Sequence, residues 1–77
     1  MNKARRAIVN KIINSINDLM EELEHVKDEE QDAMDNMPES LQESERYSVM
    51  EDAVDNMDDA YSSLEDAMDA LESVMEG

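Results

Sequence analysis

Between Tyr47 and Met75 the apolar residues fall at Tyr47, Met50, Val54, Met57, Tyr61, Leu64, Met68, Leu71 and Met75, alternating steps of three and four without a miss. Such a heptad seam marks a helix packed along another helix. The repeat is legible as words: Met50-Glu-Asp-Ala-Val, Met57-Asp-Asp-Ala-Tyr, Leu64-Glu-Asp-Ala-Met and Leu71-Glu-Ser-Val-Met follow in tandem. With Tyr47 at position a, Ala53, Ala60, Ala67 and Val74 share position g, small side chains that let a further helix approach closely. The first half carries the same pattern at Val9, Ile12, Ile16, Leu19, Leu23, Val26, Glu30, Ala33 and Met37, with Ile13, Met20 and Met34 widening the stripe. Glu30 is the one acid on that seam.

The only Pro, Pro38, disfavours helix at the residue before it. Ser40 with Glu43 three residues on forms a capping-box pattern, and Ser44 offers a second cap. These signals predict one all-α domain: a helix over about 4–35, a turn over about 36–44 and a helix over about 45–76, folded as an antiparallel helical hairpin of the coiled-coil type. Pairing positions whose numbers sum to 80 sets Val9 beside Leu71, Ile12 beside Met68, Leu19 beside Tyr61 and Val26 beside Val54. The same register lays Lys3, Arg5, Arg6 and Lys11 beside Glu65, Asp66, Asp69, Glu72 and Glu76, giving the basic start an intramolecular acidic partner. The stripe of the first helix is wider than one partner covers, and a two-helix hairpin of this size is marginal by itself. A homodimer forming a four-helix bundle, or docking of the hairpin on a larger partner, is therefore expected.

Charge then narrows the function. The chain has 22 acids against six bases, a formal net charge of −16 at pH 7. Direct nucleic-acid binding requires the opposite sign, because affinity comes from releasing phosphate counterions. With no Cys there is no disulfide framework, thiolate nucleophile or Cys-type zinc site. The basic start is interrupted by Asn10, Lys11, Asn14 and Asn17 far short of an export signal, and no apolar run is long enough for a membrane span. A cytoplasmic protein of a bacterial host, without membrane contact, is the resulting expectation.

Little in the chain promises catalysis. Glu22-Leu-Glu-His25 has the Glu-x-x-His spacing of four-helix carboxylate metal sites, but with Leu23 at a and Val26 at d, His25 falls at c and points to solvent. The Asp-rich words around Asp52 and Asp55 lack the Gly of a calcium-binding loop. No Ser stands in an arrangement with the single His that suggests an activated nucleophile. A non-enzymatic protein with no metal and no cofactor is expected.

What remains is the acidic surface. Glu51, Asp58, Glu65 and Glu72 form one column of the second helix, Asp52, Asp59 and Asp66 the next, with Asp55, Asp69 and Glu76 beyond. A hairpin of helices ~48 Å long would carry one acid per ~2.2 Å, against about 1.7 Å per charge in duplex DNA. The candidate partner-binding residues are Glu51, Asp52, Asp55, Asp58, Asp59, Glu65, Asp66 and Asp69, together with Glu39, Glu43 and Glu45 near the turn. The segment Asp28-Glu-Glu-Gln-Asp-Ala-Met-Asp-Asn-Met-Pro-Glu-Ser-Leu-Gln-Glu-Ser-Glu-Arg46 resembles a stretch shared by small acidic helical proteins of Gram-positive phages and mobile elements, a likeness that extends into the Asp-Ala heptads. In size and charge the chain is similar to phage-encoded DNA mimics and anti-CRISPR proteins. That resemblance implies an inhibitor that occupies the basic nucleic-acid-binding surface of a host defence nuclease or regulator. The alternative is a coiled-coil self-assembly or structural interaction module whose acidic surface is passive.

Overall fold

The computed structural model, which describes all 77 residues, is an antiparallel hairpin of two long helices with no strand. Helix α1 spans Lys3–Asp35 and α2 spans Glu45–Glu76, with a single 3-10 turn at Glu39–Leu41 between them. Asn2 starts α1, its side-chain oxygen accepting the Arg5 N–H at 2.8 Å. That bond satisfies one of the donors orphaned at a helix start.

Past Asp35 the chain reverses through Pro38, whose carbonyl accepts the Leu41 N–H at 2.8 Å, while Gln42 Nε2 donates to the Met37 carbonyl at 3.3 Å. Of the two candidate caps, Ser44 is the one used. Its backbone is extended, its hydroxyl oxygen accepts the Tyr47 N–H at 3.3 Å, and the same hydroxyl donates to the Leu41 carbonyl. The Ser40–Glu43 capping box does not form, because Ser40 lies inside the 3-10 turn and the helix starts only at Glu45. A cap needs an extended residue immediately before the first helical one, and only Ser44 meets that condition.

The seam of α2 is as its periodicity reads: Tyr47, Met50, Val54, Met57, Tyr61, Leu64, Met68, Leu71 and Met75 are all partly or fully covered. The seam of α1 is rotated from the expected one. Its covered positions are Arg6, Val9, Ile13, Ile16, Met20, Leu23, Lys27, Glu30, Met34 and Met37. Ile13, Met20, Lys27 and Met34 thus take the places expected of Ile12, Leu19, Val26 and Ala33. Moving half the seam by one residue at 100° per residue turns the helix by about 50°. Met20 and Met34 are 4% and 3% exposed, whereas Leu19 and Val26 are each 52% exposed. Long unbranched side chains explain the choice: Met fills irregular space between helices, and the Lys27 stem lies along the seam with its ammonium at the edge.

The rotation corrects the pairing as well. Met20 rather than Leu19 and Lys27 rather than Val26 now face α2, and two cross-helix bonds join the pair, Arg6 to the Met75 carbonyl at the open end and Lys27 to Asp58 nearer the turn. The expected acidic partners of the basic start are also revised. Arg6 donates to the main-chain carbonyl of Met75, and the molecule's one salt bridge lies elsewhere. A carbonyl in the last turn of α2 is an unpaired acceptor at the negative end of a helix, so a guanidinium there serves both needs.

The result is a rod, 59 × 14 × 13 Å, with a radius of gyration of 17.5 Å where a compact chain of this length would have about 11.5 Å. Only Met20, Met34 and Val54 are buried. No helix is long and apolar enough to cross a membrane.

Candidate acidic interface

Relabelling α1 by its observed seam, with Ile13, Met20, Lys27 and Met34 at position a, determines which side chains share a face. In an antiparallel pair the e positions of both helices lie on one side of the seam and the g positions on the other. At e, α1 presents Asn10, Asn17, Glu24 and Gln31, and α2 presents Glu51, Asp58, Glu65 and Glu72; all eight are polar and exposed. Asp55 and Asp69 of α2 stand beside them at b, and Asp52, Asp59 and Asp66 occupy the outermost column at f. One heptad is ~10.5 Å, which sets the spacing within each column.

All eleven candidate residues are exposed. Glu39 sits in the 3-10 turn and Glu43 just beyond it, while Glu45 opens α2, where a carboxylate complements the positive end of the helix. Asp58 is the one engaged with a base: Lys27 Nζ lies 2.7 Å from its Oδ1. That hydrogen bond, aided by the nearby Asp28 and Glu24 carboxylates, holds the Lys27 ammonium above its ordinary pKa. The face also draws in residues that the expected seam had set farther out. The rotation moves Glu24 to e and Glu21 and Asp28 to b, so α1 contributes carboxylates to the acidic side of α2. Only the phase of α1 could have disclosed them.

Charge is distributed unevenly along the rod. The turn-proximal half, residues 19–59, holds sixteen acids and two bases, a net −14; the open-end half, residues 1–18 and 60–77, holds six acids and four bases, a net −2. Over the full 59 Å the 22 acids amount to one per about 2.7 Å, more sparse than the expected density because the rod is longer than one helix. Within the turn-proximal half, sixteen acids over half of 59 Å amount to one per about 1.8 Å, close to the ~1.7 Å of duplex DNA.

Glu22 and His25 are both exposed and do not converge: Glu22 falls at c, on the side of Leu19 and Val26, and His25 at f, the outermost column. No group of three or more metal-ligating side chains is assembled, and the surface holds no pocket. Compared with protein-family models, curated proteins and solved structures, the chain matches none.

Proposed function

We propose that this protein is a non-enzymatic inhibitor that mimics nucleic acid, presenting the acidic face of the hairpin to the basic nucleic-acid-binding surface of a bacterial defence nuclease or regulator, in the cytoplasm of a phage's host. The observation that carries this reading is the concentration of charge: sixteen carboxylates in the turn-proximal half, at nearly duplex spacing, on a rigid helical frame. A partner groove lined with Lys and Arg would meet a field like that of a phosphate backbone. The acting form is a homodimer, a four-helix bundle of two hairpins.

The test is capture from a bacterial lysate at low salt, comparing the natural chain with a variant carrying Asp52→Lys, Asp59→Lys and Asp66→Lys. Mimicry predicts that nucleic-acid-binding proteins are retained by the natural chain alone and that the hairpin competes with their nucleic acid. It also predicts release as salt rises from about 0.1 M to about 0.5 M, where the screening length shrinks below ~5 Å. Capture that survives both charge reversal and high salt would sink the reading. A second reading, a self-assembly module with a passive acidic surface, is favoured by the exposed apolar row Ile12, Leu19 and Val26.

A further inference from the structure

The side of the hairpin opposite its acidic face has the reverse composition. At g, α1 presents Ile12, Leu19, Val26 and Ala33, and α2 presents Ala53, Ala60, Ala67 and Val74; all eight are apolar. Ile12 is 43% exposed, Leu19 and Val26 52%, and Val74 39%, and Ile8 and Val49 extend the two rows at c with 60% and 61% exposed. These rows lie roughly 100° around each helix from its seam, the angle at which a helix in a four-helix bundle meets its second neighbour. The antiparallel arrangement brings both rows onto the same side of the rod.

Covering one face with a second copy would bring the exposed surface of each hairpin close to that of a compact chain. The hairpin exposes 5741 Å², whereas a compact monomer of 8.8 kDa exposes about 4800 Å². The excess of roughly 900 Å² is close to the ~800 Å² that each partner buries in a standard interface. Two such faces can stack with their turns at the same end or at opposite ends, and charge separates these choices. Turns at the same end would set two −14 halves side by side; turns at opposite ends set each −14 half against a −2 half. In the second arrangement the basic start of each chain, with Lys3 and Arg5, which have no carboxylate partner in the hairpin, lies at the same end of the bundle as the acidic turn of the other copy. Leu19, the midpoint of Lys3–Asp35, falls on the two-fold axis, as does Ala60 near the midpoint of Glu45–Glu76.

We infer that a second copy of this chain packs on the face formed by Ile12, Leu19 and Val26 of α1 and Ala60 and Ala67 of α2, with the two turns at opposite ends of the resulting four-helix bundle. This specifies the dimer included in the proposed function, and it rests on that part of the reading alone. Both acidic faces are then left outward, on opposite sides of the bundle.

Sedimentation of the natural chain at micromolar concentration should show a dimer, and Leu19→Glu or Ala60→Glu should weaken it at least ~100-fold, because each would bury an unpaired carboxylate. Asn17→Glu, on the acidic side, should leave it a dimer. Leu19→Cys should oxidise to a disulfide-linked, fully helical dimer while Asn17→Cys does not, a readout that holds even where a Glu variant unfolds. Nitroxides at Ser40→Cys should lie near the 59 Å length of the rod from one another. A natural chain that sediments as a monomer overturns the dimer, whatever the capture experiment shows. A dimer that survives Leu19→Glu, or does not cross-link through Leu19→Cys, overturns this face, and nitroxides within about 25 Å overturn the orientation.

Discussion

Beyond Arg6 at the open end, two charged residues lie on the seam of α1, Lys27 and Glu30, and they have different consequences. Lys27 is long enough to lay its stem between the helices and keep its ammonium on Asp58. Since the bonded ammonium has a raised pKa, its stabilising contribution is complete below 10.5, the ordinary lysine value, and is lost as pH rises through the raised one. Alkaline titration monitored by circular dichroism should therefore show a steeper loss of stability for the natural chain than for Lys27→Met. An equal slope would mean that the pair contributes nothing to folding. Glu30 has no such partner: it is half-buried, and no base bonds to it. Glu30→Leu should stabilise the hairpin by about 1 kcal/mol, from added apolar burial and one repulsive charge fewer, read as a higher urea midpoint.

Apart from Glu45 at the start of α2, the helix termini carry no favourable charge. The first turn of α1 lacks an acid and the last turns of both helices lack a base, the reverse of what the helix dipole prefers. Caps and cross-helix contacts offset this, through Asn2 at the start of α1, Ser44 at the start of α2 and Arg6 on the Met75 carbonyl. Because Ser44 supplies the acceptor for α2, Ser44→Ala should cost about 1 kcal/mol. Ser40→Ala, inside the 3-10 turn and exposed, should change stability by less than about 0.5 kcal/mol. Equal costs in urea denaturation would show that the helix starts from a different cap.

The whole rod is held together against its own charge. With a net −16 on a two-helix frame that buries only three residues, repulsion opposes both folding and association. Thermal stability should rise as salt increases, because exposed carboxylates are screened within a Debye length of about 10 Å at 0.1 M. Binding to a basic partner should weaken over the same range. Opposite salt trends for stability and for binding are thus the signature of a functional acidic surface, and parallel trends would argue that the surface is passive. The −14 half near the turn makes that end the one a basic groove would engage first.

The heptad pattern by itself determined the two helices, the turn around Pro38 and every seam residue of α2, because there every Tyr, Met and Leu lies on one stripe and the second apolar row is mostly Ala. The acidic columns followed from the same phase. On α1 the pattern was ambiguous: Val9, Ile16, Leu23 and Met37 belong to either of two stripes, and the all-apolar choice of Ile12, Leu19, Val26 and Ala33 is locally the better one. Only tertiary packing decided between them, through the reach of Met20 and Met34 across the interface and of Lys27 to Asp58. By turning α1 about 50°, it left the more hydrophobic row outside the hairpin, moved Glu24 from b to e and brought Asp28 from the outermost column to the acidic side. Which face is apolar and which is acidic is a property of the pair of helices, since it depends on where each directs its seam.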